Sequence, residues 1–478
     1  MSGRRVIVLG GGPAGLGAAL GLAERGFEVT LLERGDAVGG NAGSFELAGI
    51  RVDYGSHRLH PASDPAVLAR LRGLLGDDLL ERPRHGRIRL RGRWIHFPLR
   101  PLDLALRLPP GFALGVAWDA LRRLLPSPSS RASEAGETFA SILERGLGRT
   151  ICRDFYFPYA RRIWGLEPEQ LSPVQAQRRV GSGSLGKLVR RLLPGGSGGG
   201  APRGIFYYPR RGYGQISERL CEAAIEAGAD VRLGWSVVRW TRTPPELEVW
   251  AAPRSGGAPE QMRLVADHLW STIPVAQMAR MCEPVAPAEV LRAAQSLKLR
   301  AMLLVYLVLE QDRFSEYDAH YFPGADMPLT RLSEPKNYAA LDGPRGRTVL
   351  CCEVPCSPED EIWTRDPAEL GRSLLDALAR AELPSPGRLL EVVVRRLPAA
   401  YPVYERGWES AFATLDAWIG AQPGVLSFGR QGLFAHDNTH HALYMADAAV
   451  RCLRDDGSFD REAWARYRTI FETHVVED

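Results

Sequence analysis

The sequence predicts an α/β protein whose N-terminal part is a doubly wound, Rossmann-type parallel sheet, and three adjoining features carry the prediction. Val6 to Gly10 (VIVLG) is a short, branched, apolar run of the kind a strand buried on both faces needs. It feeds into Gly10, Gly12 and Gly15, and the helical stretch Leu16 to Arg25 follows. A second strand, Glu28 to Leu32, ends in Glu33, eighteen residues after Gly15. Strand, glycine turn, helix and terminal acid make a dinucleotide-binding unit, and each part has a physical task. Gly10 permits the tight turn, Gly12 lets a pyrophosphate approach the backbone, and Gly15 lets the helix pack closely on the strand. The helix N-terminus, at Pro13 and Ala14, faces the diphosphate with free N–H groups and a positive dipole end. Glu33 can accept hydrogen bonds from a ribose diol.

A chain of 478 residues suits two or three domains, and 45% apolar with 24% charged residues is ordinary for a globular enzyme. A net charge of +4 is small for this size and the arginines form no long basic run, so nucleic acid is not indicated as a partner. Seven cysteines show no CxxC pair, which fits a reducing, cytoplasmic setting. The first residues read as a strand, so no signal peptide is expected. No stretch reaches eighteen uncharged apolar residues, so no membrane span is expected.

Further along, Ile50, Val52 and Tyr54 alternate as in a strand, with Gly55-Ser56-His57 leaving its end. Asp64 to Leu80 reads as a capped helix with proline in its first turn. Arg87 to Phe97 alternates basic and apolar residues about Gly92 as a β-hairpin whose arginines face either solvent or an anionic substrate. Pro98 to Leu193 is mostly helical. Within it, Leu102 to Leu125 is apolar but broken at Pro109-Pro110-Gly111, giving two short helices that form either a core or a membrane-surface patch. Pro194 to Pro202 (PGGSGGGAP) reads as a loop. Ile205 to Tyr208 starts as a strand and becomes a helix by Ile216; Asp230 to Trp240 reads as one strand.

Lys298 to Leu309 is an apolar strand carrying a cation, Arg300, which is costly there unless paired or facing a ligand. Phe322 to Asn337 and Thr348 to Val354 read as further antiparallel strands, with Cys351 and Cys352 on opposite faces. From Thr439 a helix follows, and its neighbours His440 and His441 diverge, so no metal site is expected there.

The extension after Glu33, namely Arg34 and Gly39-Gly40-Asn41, resembles the second half of the FAD-binding motif in the flavoprotein family that includes amine oxidases, protoporphyrinogen oxidase and UDP-galactopyranose mutase. Nicotinamide dehydrogenases generally lack it. The resemblance runs in the family's order along nearly the whole chain and implies FAD as cofactor. Asp53-Tyr54-Gly55-Ser56-His57 is similar to the family's flavin-side segment, which implies Gly55, Ser56 and His57 beside the isoalloxazine; a loop histidine bonded to backbone is the alternative. Trp164-Gly165 with Pro168 and Leu171, Tyr208 in the Tyr-Pro-x-x-Gly-Tyr segment, and Tyr401-Pro402-Val403-Tyr404 resemble cleft-lining segments. They imply Trp164, Tyr208, Tyr401 and Tyr404 as substrate contacts, with a buried tryptophan the alternative for Trp164. Val237 matches the strand whose backbone holds adenine; Gly429, Arg430 and Asn438 match the C-terminal segment whose helix N-terminus points at the flavin pyrimidine. Arg300 matches an arginine that contacts a substrate diphosphate in the mutase, with a structural ion pair as its alternative.

The implied organisation is an FAD-binding domain of residues 1–85, 205–290 and 405–478, a helical cap of 98–200, and an antiparallel-sheet substrate domain of 86–97 and 291–404. Three departures separate the chain from the mutase: Ser182 and Gly183 where an arginine is expected, Leu329 for a tyrosine, and His436 for a second tyrosine. Each lost phosphate donor is worth roughly 1 to 3 kcal/mol. The expected activity is therefore FAD-dependent oxidation or desaturation of a small organic metabolite by hydride transfer to flavin N5, with His57 as candidate base and Arg300 in the cleft. A redox-neutral, reduced-flavin mutase of a sugar or sugar nucleotide is the alternative. Contact with a membrane surface and the oligomeric state stay open.

Overall fold

The computed structural model describes residues 4–99, 103, 106–124, 136–180, 204–243, 246–254, 261–339 and 343–476. Five parallel strands form the dinucleotide-binding sheet in the order Val425–Ser427, His268–Ser271, Arg5–Leu9 (β1), Glu28–Leu32 (β2), Asp230–Arg232. β1 is buried on both sides. Val6 and Val8 join the core under helix α1 (Pro13–Glu24), whereas Ile7 and Leu9 join the core on the opposite face. Small residues let α1 sink against the helix Thr439–Cys452: a Cβ on Gly17 would lie 3.1 Å from Leu443, and one on Gly21 3.2 Å from Val450.

Asp230 to Trp240 is not one strand. Asp230–Arg232 stays in the parallel sheet, the chain turns at Gly234 (φ 75°), and Trp235–Thr243 enters a separate sheet with Glu246–Pro253, Met262–Ala266 and Cys282–Glu283. A glycine at positive φ does what no alternation of apolar residues foretells. The helix after Asp64 is also shorter than expected. Asp64 Oδ1 accepts from the N–H groups of Ala66 (2.9 Å) and Val67 (3.3 Å), but the helix stops at Leu75. Gly76 (φ 51°) redirects the chain, and Leu79–Pro83 pairs with Ile205–Pro209 as strand.

The seven-stranded sheet runs Arg388–Pro402, Leu299–Glu310, Thr348–Cys356, Arg331–Ser333, Ala319–Tyr321, Gly86–Leu90, Arg93–Phe97. Leu299–Glu310 is its central long strand and pairs with both long neighbours. Cys351 and Cys352 fall in two different cores, on opposite faces, as the pleat requires. Within Phe322 to Asn337 only Arg331–Ser333 is strand. Pro335–Ala339 is a helix, and the Asn337 amide donates to the carbonyls of Ser315 (2.9 Å) and Tyr317 (2.8 Å). The Arg87 to Phe97 hairpin forms, and Arg87 lies between the rings of Trp94 (4.2 Å) and Tyr317 (4.5 Å), while Arg89 pairs with Asp326. Both arginines are thus engaged by the protein.

The helices Phe139–Leu147, Phe157–Trp164 and Pro173–Val180 enclose their own core around Phe139, Leu143, Ile163 and Trp164. Of Leu102 to Leu125, the second half is the helix Pro110–Leu124; Leu102, Leu104, Ala105 and Leu125 lie outside the described residues, as does the loop at Pro194 to Pro202. The seven cysteines are all unpaired thiols. Among the described residues no helix is long and apolar enough to cross a membrane.

Candidate active site

A cavity of about 340 Å³ opens at the carboxyl ends of β1 and β2, the position where a doubly wound sheet binds ligands. Gly10, Gly12, Pro13, Ala14, Glu33, Arg34, Gly39, Gly40, Asn41, Ser56, His57, Val237, Arg430 and Asn438 all line it. Three other expected contacts, Gly15, Gly55 and Gly429, sit behind the wall. A Cβ on Gly15 would lie 1.9 Å from the Gly10 carbonyl oxygen, one on Gly429 2.8 Å from Ala14, and one on Gly55 3.2 Å from Glu353. Their role is close approach of backbone.

The walls suit FAD. Nothing lies within 4 Å of a Cβ built on Gly12, so the N-terminus of α1 is open to a pyrophosphate. Glu33 accepts from the N–H groups of Gly11 (2.7 Å) and Gly35 (2.7 Å), which fixes the carboxylate at the end of β2 and leaves acceptor capacity for a diol. Beyond it, Trp235, Ser236 and Val237 continue the cavity wall. A bulge between Val237 and Arg239 interrupts the ladder there, on the second sheet rather than on the parallel one. At the far end the helix Thr439–Cys452 presents its N-terminus through Asn438 and Thr439.

His57 closes that end. Its ring stacks on Tyr213 (centroids 5.1 Å apart, planes at 26°), and Nε2 lies 2.9 Å from the carbonyl oxygens of both Asn41 and Tyr54. Two carbonyls can only accept, so Nε2 carries the proton, and in the neutral ring Nδ1 keeps its lone pair. Nδ1 bonds no described residue. Burial pushes the ring's pKa down, against the raising influence of Asp53. Asp53 is itself buried, which raises its pKa, and it accepts from Ser44 Oγ (2.6 Å), Tyr208 OH (2.6 Å) and the Tyr213 N–H (2.9 Å). This carboxyl therefore pins the loop that carries His57 to the strand of Tyr208.

A second, smaller compartment of about 80 Å³ shares Ser56, His57, Arg331, Arg430, Asp437 and Asn438 with the first, and its further walls include Tyr159, Glu353, Tyr401 and His436. Tyr401 stacks on His436 (5.3 Å, 19°) and takes the Arg430 guanidinium over its ring at 5.2 Å. The other expected substrate contacts lie elsewhere. Tyr208 is buried beside Tyr338 with its hydroxyl on Asp53, so it belongs to the core. Tyr404 is buried as well: it stacks on Trp408 at 4.1 Å and donates to the Phe434 carbonyl (2.9 Å). Trp164 is the buried tryptophan of the helical core. Its Nε1 donates to His436 Nε2 (3.3 Å), and the His436 N–H donates to Tyr404 OH (3.1 Å). Trp164 and Tyr404 thus hold His436 in place rather than touching the compartment.

Arg300 shares a sheet face with Tyr401, its cross-strand partner, but its guanidinium turns toward the helical layer. It donates to Ser357 Oγ (2.5 Å) and reaches the Arg162 carbonyl at 3.5 Å. Neither Arg300 nor Arg162 has a carboxylate in ion-pair contact among the described residues, so the structural ion pair is not formed, and burial lowers the pKa of both.

Sequence reasoning passed over Arg331 and Glu353. Arg331 binds both Glu353 oxygens (2.8 Å and 2.8 Å), and Glu353 Oε1 also accepts the Ser56 N–H (2.8 Å). The signal was present: Glu353 is the lone charge in the strand TVLCCEVPC, the same cost that singled out Arg300. Asp437, His441 and His474, with ligand atoms within 4.8 Å of one another, also come together. The two rings stack at 4.1 Å and 12°, which sets their lone pairs in nearly parallel planes, and His441 Nδ1 already takes the Asn438 N–H (3.3 Å). Burial and the neighbouring His440 and His474 push His441 down to about 2. The lone pair of His441 Nδ1 is thus already met by a backbone donor.

Fold and cavity define a doubly wound dinucleotide-binding protein whose site suits FAD. The chain belongs to the family of flavin-containing amine oxidoreductases, which it matches over residues 13–450. It is 31% identical over 202 residues, 38% of its own length, to a putative flavin-containing monoamine oxidase of Mycobacterium tuberculosis, and spans 42%, less than half, of that relative. Its fold is similar to that of reduced UDP-galactopyranose mutase (TM-score 0.78, 20% identity, 94% of this chain and 93% of the other). It is also similar to a putative protoporphyrinogen oxidase from Exiguobacterium (TM-score 0.69, 22% identity, 94% and 98%).

Proposed function

We propose that this enzyme oxidises or desaturates a small organic metabolite held in the compartment beside His57, with FAD in the adjoining cavity as hydride acceptor. The observation that carries the reading is the shared wall: His57, Arg331, Arg430 and Asp437 border both spaces, so a substrate against them lies next to the cofactor's reactive end. Bound FAD supplies the electron sink. The chain supplies the rest. His57, fixed as the Nε2–H tautomer, offers Nδ1 to a substrate N–H or O–H proton. Tyr401 and His436 give a flat aromatic wall, and the Arg331–Glu353 pair fixes the loop of Ser56 and His57. Arg300, half-buried and without a carboxylate partner among the described residues, lines neither space and would reach only an anionic group of a substrate that extends past Tyr401 toward the helical layer.

Arg300 and Arg162 suit a diphosphate as well as a carboxylate, and this favours a second reading, a redox-neutral reaction on a sugar nucleotide with reduced flavin. One experiment separates the two. The FAD-loaded protein is reduced anaerobically and returned to air. Reoxidation within seconds, with peroxide released on screening amines, porphyrinogens and alcohols, supports the oxidase. Slow reoxidation, with a sugar nucleotide converted only in dithionite, supports the mutase. Absence of a flavin spectrum after reconstitution would overturn both.

A further inference from the structure

The helix Pro110–Leu124 carries an apolar stripe that no described residue covers. Leu114, Trp118 and Leu121 recur at helical spacing and are 71%, 56% and 51% exposed, and Leu106, just ahead of the helix, is 71% exposed. Nine large apolar side chains are exposed among the described residues, and these four fall within sixteen residues of one another, so the patch is not the ordinary scatter of a protein surface. The stripe is held outward. On the opposite side Phe112 is buried, and with Val116 it packs on Ile88, Leu90 and Ile95 of the hairpin, which ties the helix to the seven-stranded sheet.

Charge identifies what meets the stripe. Residues 98–200 hold fifteen Lys and Arg against eight Asp and Glu, a net +7 in a chain whose total is +4, so the remainder is net −3. Two of the cations border the stripe: Arg107 is half-exposed with its Nε on Asp103 (2.6 Å), and the exposed Arg122 guanidinium lies 5.4 Å from the Trp118 ring. A two-fold contact through the stripe would set Arg107 and Arg122 of one copy near the same cations of the other, which opposes self-association through this face. Leucines to enter an acyl boundary, a tryptophan for the headgroup level and arginines for lipid phosphates match an anionic bilayer surface. A helix of fifteen residues, about 22 Å long, lies on such a surface and does not span it.

We propose that Pro110–Leu124 docks the enzyme peripherally on anionic membranes, with Leu114, Trp118 and Leu121 inserted and Arg107 and Arg122 at the phosphates. The test is co-sedimentation of the full-length, FAD-loaded protein with vesicles of phosphatidylcholine alone or mixed with phosphatidylglycerol. The wild type should sediment with the mixed vesicles, more weakly with phosphatidylcholine alone, and less as salt rises. The combined change Leu114→Ser, Trp118→Ser and Leu121→Ser should weaken partitioning at least about tenfold while the bound-flavin spectrum persists. Should that variant fail to hold flavin, Trp118→Phe provides the second measurement: brominated lipid should quench wild-type tryptophan fluorescence more than that of Trp118→Phe. Wild type left in the supernatant with both vesicles, undiminished binding by the triple variant, or equal quenching in the two proteins would each overturn the proposal. So would a wild-type dimer in sedimentation velocity that the triple variant dissolves without any vesicle binding.

Discussion

At the scale of single residues the site turns on which atoms are already engaged. His57 gives up Nε2 to two carbonyls and keeps Nδ1, and burial holds its pKa below the ordinary 6.5. A base must be unprotonated, so kcat/KM should rise with pH and level off, with its acid limb centred below 6.5. The stability linkage has the same sign. A folded-state pKa lowered for histidine means the unfolded chain binds more protons, so stability falls as pH drops through the unfolded value. Replacing His57 by Gln should lower kcat about a hundredfold or more and abolish that acid limb, while flavin content, read by absorbance, stays close to wild type. A limb unchanged in His57→Gln would remove the residue from the chemistry. Motif residues of this kind were legible because glycines and a histidine in a fixed order have few other uses. Tyr208 and Tyr404 were misplaced because a tyrosine within a motif does not reveal whether its hydroxyl meets a ligand or, as here, Asp53 and the Phe434 carbonyl.

Among elements, periodicity was a good guide to existence and a poor one to ends. The buried strand β1, the hairpin and the central strand Leu299–Glu310 follow from apolar runs and turn residues. The early stop at Leu75 and the split at Gly234 depend on single glycines at positive φ, which sequence marks only as candidates. Leu299–Glu310 is also where alternation has the largest energetic consequence. Leu303, Val305 and Leu307 feed one core, and Met302, Leu304 and Tyr306 feed the other. Leu307→Ala should destabilise the protein by roughly 3 kcal/mol, read as a drop in denaturation midpoint with unchanged denaturant slope. Gly15→Ala acts through a different link. Its methyl would meet the Gly10 carbonyl, so α1 must move off β1, and flavin affinity should fall together with stability, by about 1 to 3 kcal/mol in the latter. Full flavin retention in Gly15→Ala would show that the close approach is not needed to hold the cofactor.

Across the whole molecule the parallel-sheet part and the seven-stranded sheet meet at a seam of polar contacts, which includes Arg58 on Asp318 (3.1 Å) and the Tyr306 hydroxyl donating to the Asp53 carbonyl (2.6 Å). Two groups of these contacts lie beside the cofactor cavity and the substrate compartment. On one side Asn41 and Gln431 donate to the Ala399 carbonyl (3.0 Å and 2.9 Å), and Arg430 donates to that of Ala400 (2.7 Å). On the other, Glu353 takes the Ser56 N–H and both arms of Arg331. These partners are hundreds of residues apart in places, which is why no local pattern announced them. Glu353 is the member whose loss should be felt most widely, because its removal leaves a largely buried guanidinium without its counter-charge and frees the loop that carries His57. Glu353→Ala should cost about 3 to 5 kcal/mol, lower the melting temperature by many degrees and weaken flavin retention. Glu353→Gln retains one carbonyl acceptor and the shape. It should keep the flavin and most of the stability while lowering kcat more than it raises KM, because His57 is then less firmly held against the substrate. Calorimetry with and without added FAD, alongside steady-state kinetics, reads all of these. Equal melting temperatures for Glu353→Ala and the wild type would mean that the seam is carried by its other contacts and not by Glu353.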